Sequence, residues 1–294
     1  MKKTAFIFGL GYVGVSLAHS LAKKGWQIRG TTRTPSKIAN KVNLDWKILQ
    51  FNAGKPLVDP KTAFRDVNVI INTINTVGGS DPVLDAHSED LLSFPGWVGY
   101  VSATSVYPDM PNHMCYEDTP TSPATARGKA RVFAEARWQK QHQAEIFRLA
   151  GIYGPGRSPF DALRSGTARI IEREGQVFNR IHVDDICRII IAAIERPRQK
   201  RIVNLADHRP APQGDVIRYA AKLIGVKPPI PQKLETANLS ATARSFYVSR
   251  RRIGSLVIKQ ELSIDLLYPD YEKGLTTILA SEHQLIDGSS DPLA

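Results

Sequence analysis

Cysteine is scarce in this sequence. Only Cys115 and Cys187 occur among 294 residues, far apart and outside any metal-ligand spacing. This excludes a disulfide-stapled scaffold and a cysteine-built metal site, and it points to a reducing, cytoplasmic setting. No run of eighteen apolar residues occurs, so no membrane-spanning helix is expected. Internal repeats and low-complexity segments are absent too. The net charge is +11, yet dense basic clusters are missing. The longest, Arg250-Arg251-Arg252, has no interleaved aromatics, which argues against a nucleic-acid partner. The positive excess then serves a phosphate-bearing ligand or a solvated surface. Met1-Lys2-Lys3 before an apolar run has the outline of an export signal. However, Gly9, Gly11 and Gly14 interrupt that run and the chain continues into a second strand.

What is present begins with residues 4–8 (TAFIF), a short strand-type run that leads into GLGYVG and then a helically spaced segment, 15–21. Strand, glycine turn and helix is the context that makes G-x-G-x-x-G a dinucleotide motif. Gly9 makes the tight turn, Gly11 admits a pyrophosphate against the backbone, and Gly14 lets helix and strand pack closely. The diphosphate would rest on the backbone of Gly11, Tyr12, Val13 and Gly14, at the positive end of the helix. A second strand, 26–31, ends in Gly30-Thr31-Thr32-Arg33. An NAD site usually carries Asp or Glu there to hold the ribose 2′-hydroxyl. With no carboxylate in place, Arg33 can grip a 2′-phosphate, helped by the Thr31 or Thr32 hydroxyl and by Lys37, which favours NADP over NAD.

Further strands are expected at 46–51, 67–73, 97–102, 145–149 and 201–205. Helices are expected at 82–92, 129–141 and 181–195, the last entered through Asp184-Asp185 with Asp184 as its cap. Strands alternating with helices imply an α/β fold, a doubly wound parallel sheet of Rossmann type, with ligands outside the carboxyl ends of the strands. Asn52 is placed to touch adenine and Thr73 to border the cofactor crevice. Past residue 205 prolines cluster and a helix at 213–223 stands alone. The division that follows is a dinucleotide domain over 1–205, to which 157–180 contributes part of the second lobe, a smaller C-terminal substrate lobe over 206–280, and a flexible tail over 281–294.

The motifs GLGYVG, VSATSVYPD (101–109), FRLAGIYGPGR (147–157), NRIHVDD (179–185) and YPDYEKGL (268–275) run through most of the chain. Together they resemble the extended short-chain dehydrogenase/reductases, the epimerase/dehydratase group. The resemblance implies NAD(P) as cofactor, a homodimer, and a catalytic set of Ser or Thr, Tyr and Lys, with Tyr as acid/base and Lys on the nicotinamide ribose. That set is missing here. The hydroxyl position falls on Ala103, the Tyr position on Arg127 and the Lys position on Arg131. Arginine stays charged at neutral pH and cannot act as a general acid. The sequence is thus closest to atypical members that keep the dinucleotide fold without the usual chemistry.

Candidate replacements for the acid/base are Thr104, Tyr107, Tyr153 and His182, the last titrating near neutrality. Ser102 and Arg131 are expected at the cofactor. Arg127, Arg157 and Arg180 are expected to face an anionic small-molecule substrate. Two functions follow: an NADP-dependent oxidoreductase or epimerase-like enzyme with a rearranged site, or a non-catalytic NADP-binding redox sensor or partner-binding module. An epimerase proper would need a Tyr acid/base and NAD, and both Arg127 and Arg33 oppose it.

Overall fold

The computed structural model describes residues 2–286. The first half runs β1 (Thr4–Phe8), α1 (Tyr12–Lys23), β2 (Gln27–Thr32), β3 (Lys47–Gln50), α2 (Pro60–Phe64), β4 (Val69–Asn72), α3 (Pro82–Leu92), β5 (Trp97–Ala103), β6 (Met110–Cys115), α4 (Ala126–His142) and β7 (Glu145–Leu149). The second runs β8 (Gly151–Tyr153), α5 (Pro159–Arg164), β9 (Ile170–Glu172), β10 (Arg180–His182), α6 (Val183–Glu195), β11 (Ile202–Leu205), α7 (Gln213–Leu223), β12 (Pro231–Lys233), α8 (Ala241–Ser245), β13 (Arg251–Ile253), α9 (Val257–Gln260) and α10 (Tyr271–Ile286).

Seven strands form one parallel sheet in the order β11-β7-β5-β4-β1-β2-β3. Alternation in β1 shows why its sequence is apolar throughout. Ala5 and Ile7 join the core under α1 and α6, while Phe6 and Phe8 join the core under α3 and α4, so both faces are covered. Strand order reverses between β1 and β4, the switch point at which such sheets bind ligands. Helix α1 begins at Tyr12, earlier than its apolar spacing indicates, because Gly11 takes the N-cap.

A third core, with Phe160, Leu163, Ile170, Val216, Ile217 and Leu275 among its members, joins α5, β9, α7 and α10. The helix at 213–223 therefore does not stand alone; it packs on α5 and α10. Residues 281–286, expected in a tail, continue α10. Their periodicity was masked by polar side chains on the exposed face. Positions 287–294 lie outside the described residues. Among the described residues no helix is long and apolar enough to cross a membrane.

Helix α4 is tied to the sheet by a buried polar network. Glu135 and Arg148 are 5% and 4% exposed. Arg148 Nη2 donates to Glu135 Oε2 at 2.8 Å, and its Nε reaches both carboxylate oxygens at 3.2 Å. Ser102 Oγ donates to Glu135 Oε1 at 2.6 Å. Arg148 Nη1 donates to the Tyr107 hydroxyl at 2.8 Å, which donates onward to Asn204 Oδ1 at 2.7 Å. Removing one partner of such a pair strands a buried charge. Arg148→Met should cost about 3–5 kcal/mol in urea unfolding, and adding Glu135→Leu should recover most of that loss.

Candidate functional site

At the switch point the glycine turn is held rigidly. Gly9 has φ +91, a conformation that favours glycine. Its N–H donates to Thr31 Oγ1 at 3.0 Å and its carbonyl accepts from Thr73 Oγ1 at 2.6 Å. A Cβ on Gly14 would come within 2.1 Å of the Gly9 carbonyl oxygen, whereas one on Gly11 would meet nothing within 4 Å. The first helical bond runs from Val15 N to Gly11 O at 2.8 Å. The N–H groups of Tyr12, Val13 and Gly14 precede it, no side chain caps them, and the first turn holds no acidic residue. An open backbone face with free donors at a helix N-terminus fits a diphosphate.

Three residues expected at the cofactor have other work. Thr31 is fully buried and its hydroxyl is spent on Gly9, so it cannot reach a 2′-phosphate. Thr73 is likewise spent on Phe8 and Gly9 carbonyls. Thr32 is half-buried at the end of β2, Asn52 half-buried in the turn after β3, and Arg33 exposed with no carboxylate partner among the described residues. Ser102, also expected at the cofactor, is instead buried against Glu135. Arg131 lies beneath the strand ends. It donates to the Tyr100 hydroxyl at 2.9 Å, to the Val101 carbonyl at 2.8 Å and to Asn75 Oδ1.

The acid/base candidates are also redistributed. Tyr107 is fully buried in the α4 network, and desolvation pushes its hydroxyl up to about 12. Tyr153 faces α10, donating to the Asp270 carbonyl at 3.2 Å, and burial raises its pKa further. Neither is a proton donor open to the crevice. Thr104 opens a 3-10 turn directly after β5, since the strand ends at Ala103. Its side chain is thereby released from strand alternation.

His182, not Asp184, caps α6. Its Nδ1 accepts from Asp184 N at 3.2 Å, and its ring packs 3.8 Å from that of Tyr268. Asp184 is exposed, while the buried Asp185 carboxylate accepts from Leu267 N and Tyr268 N at 2.8 and 2.9 Å. The proton of neutral His182 then sits on Nε2, which is buried without a partner. One group missed by sequence reasoning is Asp207, 2% exposed after β11. Burial pushes its carboxyl up to about 7, against backbone donation from Arg209 and the pull of Arg180.

The three arginines expected to share one substrate lie in separate surroundings. Arg127 stacks 4.4 Å from the Phe246 ring. Arg180 donates to the Phe178 and Ala211 carbonyls at 2.9 and 3.2 Å and lies over Tyr271. Arg157 lies over Tyr12, whose hydroxyl donates to the Pro155 carbonyl at 3.0 Å. The GIYGPGR loop thus covers the glycine turn, and Arg157 belongs to that wall. Contacts 143 residues apart carry this assignment, and no local signal could have supplied it.

No family model matches the chain. A parallel sheet with this order and this glycine turn is a doubly wound α/β fold of Rossmann type, and solved structures share it. dTDP-glucose 4,6-dehydratase from Bacillus anthracis str. Ames, in complex with NAD, superposes with a TM-score of 0.77 at 17% identity over 96% of this chain and 97% of that one. UDP-glucuronic acid 4-epimerase from Bacillus cereus, also with NAD, gives 0.75 at 16% identity over 96% and 99%. A functionally unknown conserved protein from Silicibacter pomeroyi DSS is nearer, with a TM-score of 0.87 and 38% identity over 95% of this chain and 99% of that one. The chain belongs to one family with that conserved protein, on the fold of the NAD-dependent epimerases and dehydratases. Protein YeeZ of Escherichia coli K12 is 29% identical over 287 residues, covering 92% of this chain and 97% of that protein.

Burial holds the His182 imidazole below the ordinary value of about 6.5, with Asp184 and Asp185 opposing. The unfolded chain therefore takes up this proton first as pH falls. Stability present above about pH 6.5 is lost as pH drops toward the lower folded value. His182→Asn keeps a capping side chain and removes the titration. In urea unfolding between about pH 7 and pH 5, its stability should fall less steeply than that of the parent. His142, lowered by burial in the same way, accounts for part of the slope that remains.

Proposed function

We propose that the protein is an NADP-dependent oxidoreductase of epimerase/dehydratase type, acting on an anionic carbonyl or sugar-type small molecule through a rearranged site. The observation that carries this reading is the uncapped N-terminus of α1, with Gly11 open and Arg33 unpaired at the neighbouring strand end. In this reading Gly11 to Gly14 hold the diphosphate, Arg157 adds charge from the covering loop, and Arg33 with Thr32 holds the 2′-phosphate. Residues 1–205 serve the dinucleotide, while 157–180 and 206–280 build the substrate lobe. The bound nicotinamide supplies or accepts hydride. The chain's part is to seat the substrate and to orient it from the Thr104 turn, while the buried Arg131 fixes the strand ends. The two free, buried cysteines suit the cytoplasm. A homodimer, as the family resemblance implies, completes this reading.

A second reading is a non-catalytic NADP-binding sensor or partner-binding module. It is favoured by the confinement of the Ser102, Tyr107 and Tyr153 hydroxyls to structural bonds. The two readings separate on NADPH oxidation with a panel of carbonyl acids, which only the enzyme supports.

Both rest on the nucleotide. In titrations followed by nucleotide fluorescence, the parent should prefer NADPH to NADH. Arg33→Ala should raise the NADPH Kd about ten- to a hundredfold, the worth of one or two charge-assisted hydrogen bonds, and leave NADH unchanged. Equal binding of both nucleotides by the parent would remove the NADP preference, and binding of neither would remove both readings.

A further inference from the structure

The carboxyl end of β5 is where the epimerase/dehydratase group carries its reactive hydroxyl, and Ala103 stands there in this chain. The structure surrounds that point with positive charge. Strand β13 is laid parallel to β6. It is locked by one side chain of the NRIHVDD motif: Asn179 Nδ2 donates to the Arg251 carbonyl at 2.9 Å, and Asn179 Oδ1 accepts from Ile253 N at 2.8 Å. This lock aims Arg251 at the Rossmann half, where its Nη1 donates to the Thr104 carbonyl at 2.7 Å.

Charge balance separates Arg251 from the arginines held in buried ion pairs. Arg148 and Arg201 each meet a carboxylate, at 2.8 and 2.7 Å. Arg251 has none among the described residues. The acid nearest its strand, Asp109, is taken by the neighbouring Arg250, accepting from its backbone N at 2.6 Å and facing its guanidinium at 3.8 Å. Burial is the main cause disfavouring the charge of Arg251; Cys115 and Asp109 favour it more weakly, and the nearby Arg127 disfavours it. Among the described residues Arg127 has no carboxylate partner; it lies against Phe246, in a first helical turn of α4 that carries no acidic side chain. The same turn packs on Ser105: a Cβ on Gly128 would meet the Ser105 carbonyl oxygen at 2.4 Å. The Ser105 hydroxyl is buried and has no hydrogen-bond partner. Two guanidinium groups without a carboxylate partner and a hydroxyl without a hydrogen-bond partner among the described residues, drawn from both lobes, are a donor set suited to an anion.

We propose that Arg251, Arg127 and Ser105 form an oxyanion site that seats a carboxylate or phosphate group of the substrate at the end of β5. This rests on the proposed function for the crevice being the reaction site. The cofactor's own phosphates are accounted for at Gly11 to Gly14 and Arg33, and its nicotinamide end is neutral in the ring amide. The acidic group therefore belongs to the substrate. Arg127 takes the position of the group's tyrosine, so a fixed cation replaces a proton donor. Binding and orientation by charge replace proton transfer at that position.

The test uses NADPH-loaded protein titrated calorimetrically with inorganic phosphate, pyrophosphate and malonate. The parent should bind at least one of them. Arg127→Gln and Arg251→Gln should each weaken that binding about tenfold or more, while Arg251→Lys, which keeps the charge, should lose less. Phosphate or pyrophosphate binding without malonate assigns a phosphorylated substrate, and the converse assigns a carboxylic acid. NADPH affinity, read by fluorescence in every variant, should stay at the parent value. If Arg251→Gln does not fold, the exposed Arg127 carries the test alone. Parent protein that binds none of the anions, or variants that bind as well as the parent, would overturn the proposal. If the parent does not bind NADPH, the proposed function fails, and the same anion titrations on the nucleotide-free chain judge the site by itself.

Discussion

The buried pair of Glu135 and Arg148 constrains the rest of the crevice. A carboxylate this far from water needs its charge matched and its lone pairs filled. Arg148 supplies the match through a forked contact, and Ser102 fills a remaining acceptor site. The second arm of Arg148 recruits Tyr107, which in turn needs Asn204. Asn204 reaches the C-terminal lobe through its Nδ2, which donates to the Gly254 carbonyl at 2.9 Å. One ion pair therefore fixes α4, three strands and the lobe. It also consumes the hydroxyl groups that the strand-end motif seemed to offer for chemistry. The order of this region depends on the buried pair and its partners, not on groups left free to react.

The glycine turn shows the same economy on a smaller scale. Thr31 and Thr73 stand at the ends of β2 and β4, on either side of β1, and both hydroxyls close on Gly9. A turn held from both flanks presents the α1 N–H groups in one fixed arrangement, so little ordering cost remains when an anion docks. The loop at Gly154 adds a cover from the other half of the chain: a Cβ there would come within 2.5 Å of the Tyr12 hydroxyl. Its backbone φ of +155 and its lack of a side chain are what permit that approach.

What was legible in the sequence was whatever is decided within a few residues. β1, α3, β7 and α7 fall where period and turn residues place them, since burial on both faces demands continuous apolar strands. The glycine turn was legible for the same reason: its three glycines answer to contacts within one strand–helix unit. Partner choice across the fold was not. Ser102 and Glu135 are 33 residues apart, Tyr107 and Asn204 are 97 apart, and Arg251 and Thr104 are 147 apart. Asp184 is a better capping residue than His182 by type, yet the chain enters α6 directly from β10, which puts the cap two residues before Asp184. Arg250-Arg251-Arg252 read as a solvated basic run because no local feature shows that Asn179 makes its centre a strand.

Net charge acquires a location once these pairs are known. Many surface arginines and lysines are balanced by carboxylates, as at Arg137 with Asp85 and Arg218 with Glu172, and contribute little to stability. Among the described residues, the arginines left without carboxylates include Arg33 after β2, Arg157 over Tyr12, Arg127 in the first turn of α4 and Arg251 at the Thr104 carbonyl. A field of one sign along a cleft concentrates anions there and orients them before contact. The first two match a phosphorylated dinucleotide, and the last two lie beyond it. In the proposed reading, part of the +11 excess is thus set aside for two anionic molecules, the dinucleotide and the substrate. In that reading, a protein that only sensed its nucleotide would have use for the first pair of arginines alone.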